Sequence, residues 1–155
     1  MQNEEIKKTK SAPKFVLIMV IAAIGGTGIF FATTLQKRNT IKINNVPIAV
    51  ERATSSDARA RGLCCRDHLS ENSGMLFMFD QPGDYRFWMK DTRIPLDMYW
   101  ISDDKKIVHI EHSVQPTSYP NRFSSPVPAQ YILETNAGFA KKHNIKVGDE
   151  VSFRT

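Results

Sequence analysis

An aromatic side chain and a positive charge lie two residues apart, at Trp88 and Lys90. We place both on a predicted strand over 85–90, where alternate side chains share one face of the sheet. An indole ring beside an ammonium group suits a sugar, a carboxylate or a planar ligand. The alternative is structural, with Trp88 packed under a loop and Lys90 paired with Asp97.

Asp97 and Glu134 could join Lys90 and Arg61 in one charged cluster, with Asp97 nearly opposite Lys90 across an antiparallel pair. Two carboxylates can perform general acid–base catalysis when the pKa of one of them is raised. The candidate catalytic residues are Asp97 and Glu134, and the candidate ligand-binding residues are Trp88, Lys90, Arg61 and Asp97. Buried ion pairs that only fix a fold use the same residue types, so a structural role stays open.

The histidines predict neither a metal site nor a cofactor. His109 and His112 are three residues apart, so on a strand they face opposite sides and cannot chelate one ion. His109 and Glu111 share a face, but two ligands are too few for a tight zinc site. The sequence also has no C-x-x-C, G-x-S-x-G or Walker-type motif. We therefore expect no metal and no cofactor.

Cys64 and Cys65 are the two cysteines of the chain. A disulfide between adjacent residues closes a small strained ring and is rare. Outside the cytoplasm, a bond to another chain is a second option. We expect one buried thiol and one exposed thiol.

A long apolar segment without charge precedes all of these residues. Residues 15–35 read FVLIMVIAAIGGTGIFFATTL, and as a helix they span about 31 Å, close to the roughly 30 Å hydrocarbon core of a membrane. Four lysines before the segment favour a cytoplasmic N-terminus. A cleaved signal peptide, the alternative, would have a shorter apolar region and a small-residue cleavage site. We expect a cytoplasmic tail over 1–14, a transmembrane anchor over 15–35, a linker over 36–40 and an extracytoplasmic domain over 41–155.

The positive charge of the chain is concentrated around this apolar segment. The whole sequence has a net charge of +5, whereas residues 39–155 contain 15 Lys and Arg against 14 Asp and Glu. A domain this close to neutral has no basic stripe of the kind that nucleic-acid binding needs. We therefore expect the membrane, and a small molecule or a cell-envelope component, as partners, but not nucleic acid.

The pattern after residue 40 predicts a mainly β fold. Pro47 favours a sheet edge for the second strand, and the turn signal after residue 79 makes a hairpin of 74–79 and 85–90. Two short helices are predicted over 58–61 and 137–143. Alternating or apolar runs predict strands over 41–43, 46–50, 74–79, 85–90, 96–102, 106–114, 131–135 and 150–153. We expect a compact, antiparallel, barrel-like sheet with two short helices, preceded by one transmembrane helix.

Several blocks of sequence resemble one family. They are Arg61-Gly62-Leu63, Gly74-Met75-Leu76-Phe77, Phe87-Trp88-Met89-Lys90-Asp91-Thr92, Ile94-Pro95-Leu96-Asp97, Tyr131-Ile132-Leu133-Glu134 and Ile145-Lys146-Val147-Gly148-Asp149. From about residue 41 to residue 153, the chain resembles the bacterial and archaeal domain of unknown function 192. The resemblance implies a small β-rich fold, often behind a signal or anchor, and it implies no activity. Two departures are Cys64, where the family usually has Met, and the loop over 115–126, which lacks the cysteines of many members.

Three functions stay open at this point. The first is a membrane-anchored extracytoplasmic module that binds a small ligand or an envelope component against Trp88 and Lys90. The second is a hydrolase-like enzyme that uses Asp97 or Glu134, and the third is a structural or assembly partner. A wide polar pocket in which Lys90, Asp97 and Glu134 converge would favour the enzyme. A shallow aromatic groove would favour the binding module, and a filled barrel without a cleft would favour the third function.

Overall fold

The computed structural model describes residues 39–154. The tail and the transmembrane anchor predicted over 1–35, and most of the linker, lie outside the described residues and stay predictions. Within residues 39–154, no helix is both long enough and apolar enough to cross a membrane.

The described residues form seven strands, two short α-helices and one short 3-10 helix. The strands are β1 Asn39–Ile43, β2 Val46–Ala53, β3 Ser73–Gly83, β4 Leu96–Ile101, β5 Ile107–Val114, β6 Ala129–Asn136 and β7 Val151–Ser152. The helices are α1 Ser56–Arg61 and α2 Phe139–Lys142, with the 3-10 helix over Pro116–Ser118. The prediction of a mainly β fold with two short helices is confirmed.

All seven strands lie in one curled sheet, in the order β5-β4-β6-β3-β2-β1-β7. Each pair is antiparallel except β2 and β3, which are parallel. At one end the two edges meet, because Ile107 N donates to Asp149 O over 2.9 Å and Val151 N donates to Lys105 O over 2.8 Å. The sheet is therefore a half-barrel, which confirms the barrel-like shape and corrects the purely antiparallel arrangement.

The hairpin predicted between 74–79 and 85–90 is wrong. β3 pairs with β2 along one edge and with β6 along the other. Residues 85–90 pack over one face of the sheet, where their backbone forms a single bridge between Phe87 and Phe123. Met89 is buried and its two neighbours are exposed. Side-chain burial thus alternates along this segment as it would along a strand. The alternation comes from packing against the sheet and not from pairing within it.

The edge position predicted from Pro47 is also wrong, because β2 lies between β1 and β3. The pairing of β2 with β3 begins only at Ala49, which faces Ser73. Pro47 therefore lies before the part of β2 whose backbone amides pair with β3. A proline is tolerated at the start of a central strand for this reason.

The sheet has an apolar core on each of its faces. The α2-side core contains Leu76 and Leu133 together with residues of α2. The loop-side core contains Phe77 and Ile132 and is covered by apolar residues from 58–94. Since neighbouring residues of β3 and β6 enter opposite cores, the central strands are buried on both faces. This double burial explains the continuous apolar run at the start of β3.

Leu76 is fully buried in the α2-side core. We expect Leu76→Ala to lower the free energy of unfolding by about 2–5 kcal/mol, the usual range for large-to-small core substitutions. Urea unfolding of the full chain, followed by the fluorescence of buried Trp100, measures this change. Val147 is 57% exposed, so Val147→Ala is the control and should cost less than about 0.5 kcal/mol. Equally small effects at both positions would show that Leu76 is not a core residue.

Candidate functional site

A cavity of about 320 Å³ opens over the loop-side core. Its lining comes from residues 59–63, from β3, from residues 85–92, from Arg122 and from Glu134 of β6. Sites for small organic ligands have volumes of roughly 300–1,000 Å³, so this cavity lies at the lower end of that range.

Helix α1 places two arginines at the cavity. The Ser55 hydroxyl accepts a hydrogen bond from Ala58 N over 3.2 Å and caps the start of the helix. Gly62, with a φ of 53°, ends the helix directly after Arg61. Arg59 and Arg61 lie in the last turn, where the helix dipole favours positive charge.

Two long-range contacts fix residues 85–90 on the sheet. Trp100 Nε1 donates to Tyr85 O over 3.0 Å. Phe87 exchanges backbone hydrogen bonds of 2.9 and 2.8 Å with Phe123. The second contact brings the loop before β6 to the same side of the cavity as residues 85–90.

The residues after α1 are tied to the turn that follows Lys90. Cys65 N donates to Asp91 O over 2.8 Å, which links the segment after Arg61 to this turn. A disulfide joins Cys64 to Cys65. The prediction of one buried and one exposed thiol is therefore wrong, since the chain keeps the two sulfurs on neighbouring residues within bonding reach.

Aromatic rings form the apolar wall of the cavity. Phe79 and Tyr85 are stacked, with ring centroids 3.5 Å apart. Phe77 and Phe87 meet edge to face, with centroids 4.7 Å apart. Trp88, at 38% exposure, leaves much of its indole surface open to solvent. The wall is thus suited to the flat face of an apolar group.

Three cations at the cavity have no side-chain hydrogen bond and no ion pair within residues 39–154: Arg61, Lys90 and Arg122. Lys90 Nζ lies 5.8 Å from the centroid of the Trp88 ring, and Arg122 Cζ lies 4.6 Å from it. Two positive charges near one ring could both contact a bound anion.

The other two cations of the cavity are engaged with protein groups. Arg59 Nη1 donates to Met78 O over 3.1 Å, and its guanidinium lies 4.9 Å from the centroid of Phe79. Arg86 Nη2 is 2.9 Å from Asp84 Oδ2. The positive charge available to a ligand therefore comes from Arg61, Lys90 and Arg122.

Glu134 forms the acidic floor of the cavity and is 5% exposed. Its neighbours across the sheet are Met75 of β3 and Met98 of β4, and the carboxyl has no hydrogen bond or ion pair in the described chain. Burial raises the pKa of Glu134 to about 8. The carboxyl is therefore mostly protonated at neutral pH, and it can donate one hydrogen bond and accept others.

Asp97 lies away from this cavity, on the α2 side of the sheet. It is fully buried, and its carboxylate accepts hydrogen bonds from Ser113 N over 2.8 Å and from Ala140 N over 2.9 Å. Its predicted position opposite Lys90 across an antiparallel pair is wrong, because β4 pairs with β5 and β6. Asp97 instead joins β5 and α2 to the sheet, and a cluster with Glu134 is not formed.

The structure brings four of the predicted site residues into one cavity: Trp88, Lys90, Arg61 and Glu134. Sequence reasoning missed Arg122, which lies in the proline-rich loop over 115–128. No periodicity marks that residue, since only the pairing of Phe87 with Phe123 brings it to the cavity.

His109 and Glu111 lie together on β5, as their shared strand face indicated. His109 Nε2 is 3.0 Å from Glu111 Oε1. Within residues 39–154, no group of three or more His, Cys, Asp or Glu side chains could hold a metal ion.

The comparisons with known proteins concern the domain that contains this cavity. The model of the domain of unknown function 192 family, described as an uncharacterized ACR, matches residues 38–153. A solved structure from Sinorhizobium meliloti, described as that of a candidate transcription regulator, is 30% identical, with a TM-score of 0.71 over 75% of this chain and 93% of that one. A protein of unknown function from Novosphingobium aromaticivorans is 29% identical, with a TM-score of 0.70 over 74% and 84%. No curated protein matches the chain.

Glu134 should make stability depend on pH. Its pKa is about 8 in the folded chain against an ordinary value of 4.5, so as the pH rises the unfolded chain releases this proton first. The wild-type chain should therefore lose stability between about pH 4.5 and pH 8, and Glu134→Gln should not show this loss. As the pH rises through this window, the free energy of unfolding of the variant should increase relative to that of the wild type by about 3–5 kcal/mol. Urea unfolding of both chains near pH 5 and near pH 8 measures it, and a difference independent of pH would mean that the carboxyl is solvated.

Proposed function

The chain belongs to the domain of unknown function 192 family, and on that premise we propose that it is a membrane-anchored extracytoplasmic module that binds a small ligand or an envelope component. One observation carries the proposal: the cavity holds three cations and a carboxyl that no hydrogen bond or ion pair within residues 39–154 occupies. Glu134 is the buried member of this set, and a buried polar group gains from a hydrogen-bond partner. The three cations are exposed and available to an anionic group of a ligand.

An open cavity also argues for binding rather than for a purely structural role. Both faces of the central sheet are filled with apolar side chains, so the fold does not need the space beside Trp88. The wall of the cavity mixes aromatic rings with a few polar groups, as small-molecule sites do.

A hydrolase that uses Glu134 is the second candidate function. A carboxyl with a pKa of about 8 is protonated at neutral pH, as a general acid must be. Among the described residues that line the cavity, however, Glu134 is the one carboxylate. The second carboxylate of the hydrolase hypothesis, Asp97, is occupied by two backbone amides on the other side of the sheet. We therefore favour binding.

Nucleic acid is not part of the proposal, although the relative from Sinorhizobium meliloti is described as a candidate transcription regulator. Residues 39–155 carry 15 Lys and Arg against 14 Asp and Glu. Binding to a phosphate backbone depends on a broad excess of positive charge. Three cations without a side-chain hydrogen bond or ion pair among the described residues, Arg61, Lys90 and Arg122, lie around a single cavity of small-molecule size.

The anchor proposed over 15–35 can be tested by labelling intact cells with a membrane-impermeant maleimide. The background should carry serine at Cys64 and Cys65. We expect a cysteine at the exposed position Val147 to be labelled, because the domain faces outward in the proposal. A cysteine at Ser11 should be labelled only after permeabilisation. The reverse pattern would reverse the orientation, and a mature chain that starts near Thr34 would show that the segment is cleaved.

The binding function can be tested by a thermal-shift screen of the full chain with sugars, organic acids and neutral aromatic compounds. A compound that binds the cavity should raise the melting temperature of the wild type and of Val147→Ala by the same amount. It should not raise that of Trp88→Ala, which removes the exposed indole from the cavity wall. A screen in which no compound distinguishes Trp88→Ala from the control would remove the proposal.

A further inference from the structure

We propose that the ligand of this cavity is an organic anion with a flat apolar body, which carries a neutral hydroxyl or carbonyl group at the end opposite to its negative charge. This inference rests on the proposed binding function and adds the chemical class of the ligand. It is carried by three features of one cavity: the cations at its mouth, the rings of its wall and the carboxyl at its floor.

The mouth selects a negative charge. Arg61, Lys90 and Arg122 are all exposed, and within the described chain their side chains have no ion pair and no hydrogen bond. Both arginines offer planar guanidinium groups that match the two oxygens of a carboxylate, while the lysine adds a compact charge. A neutral ligand would leave the two cations near Trp88 without a counter-charge.

The wall selects a flat body. The Phe79–Tyr85 stack and the edge-to-face Phe77–Phe87 pair present ring surfaces toward one space of about 320 Å³. A planar ligand can pack its face or its edge against such rings at no cost in its own flexibility. One or two fused rings are the size that this volume accepts.

The floor selects a neutral polar group. Glu134 is 95% buried, and the strands on either side present Met75 and Met98 to it. The other charged or titratable side chains that line the cavity are those of Arg59, Arg61, Tyr85, Arg86, Lys90 and Arg122. A ligand ammonium group would lie near five cations of the same charge. A second anionic group of the ligand would be buried next to the carboxyl of Glu134. A hydroxyl or carbonyl group can exchange hydrogen bonds with the protonated carboxyl without burying another charge.

Three naphthalene probes separate these features by isothermal titration calorimetry on the full chain near pH 7. They are 6-hydroxy-2-naphthoate, 2-naphthoate, which lacks the hydroxyl, and 6-hydroxy-2-naphthamide, which lacks the charge. We expect 6-hydroxy-2-naphthoate to bind most tightly and each of the other two to bind about tenfold more weakly, as the loss of one charged or buried hydrogen-bonding contact implies. Added salt should weaken the two anions and leave the amide unchanged.

Variants then assign each preference to its residue. Lys90→Met should reduce the preference for the naphthoate over the naphthamide. Arg93→Met is the matched control, because Arg93 is an exposed cation outside the cavity that pairs with Asp67 over 2.8 Å, and it should keep the preference. Glu134→Leu should abolish the preference for the hydroxyl and keep the preference for the charge. If that variant does not fold, the probe comparison on the wild-type chain decides.

The outcomes also separate this inference from the function on which it rests. Equal affinity for the naphthoate and the naphthamide, with both lost in Trp88→Ala, would overturn the anionic class and leave the binding function standing. Equal affinity for the two naphthoates would overturn the role of the floor. The absence of binding by all three probes would overturn the inference as a whole, whereas the binding function would then be judged by the thermal-shift screen.

Discussion

A strand that is buried on both faces leaves a carboxyl group little access to water, and Glu134, in such a strand, is 5% exposed and lines the cavity. Its neighbours on β3 and β4 are methionines, so the sheet supplies no hydrogen-bond partner to the side chain. The backbones of β3 and β6 lie close together here, because a Cβ added at Gly74 would overlap the carbonyl oxygen of Glu134. Glu134 lines the cavity, so a ligand bound there could serve as the hydrogen-bond partner of this carboxyl.

The parallel pairing of β2 and β3 explains why charged residues cover this face of the sheet. Two neighbouring parallel strands cannot be joined by a tight turn, so the chain between them must cross over. Residues 54–72 make this crossover, and α1 within it carries Arg61 to the cavity. Residues 84–95 then cross the same face between β3 and β4, and they carry Lys90. The two segments are joined by the hydrogen bond from Cys65 N to Asp91 O, so the fold itself brings their cations together.

Local patterns in the sequence were sufficient for most of the strands but not for their partners. Alternation or continuous apolar runs mark β2, β3 and β6 because side-chain direction has a period of two residues. The same alternation over 85–90 predicts a hairpin that does not form, because alternation indicates which side chains are buried and not which backbone groups are hydrogen-bonded. The sequence was sufficient to select four residues of the cavity as candidate site residues: Trp88, Lys90, Arg61 and Glu134. Arg122 was not among them, because its place depends on a backbone pairing that spans more than thirty residues.

The two buried acids of the sheet show why residue type and burial do not separate a functional carboxyl from a structural one. Asp97 and Glu134 are both buried on neighbouring strands of one sheet. Asp97 has backbone amides at both of its oxygens, so its charge holds α2 and β5 in place. Among residues 39–154, no backbone amide donates to Glu134, and burial raises the pKa of its carboxyl, which favours the neutral form. The sequence does not reveal these partners. The two side chains lie on opposite faces of the sheet, and the hydrogen bonds that each one forms depend on the residues packed against that face. Of the two acids, Glu134 is the one that a ligand could use, because its carboxyl lines the cavity and has no hydrogen bond among the described residues.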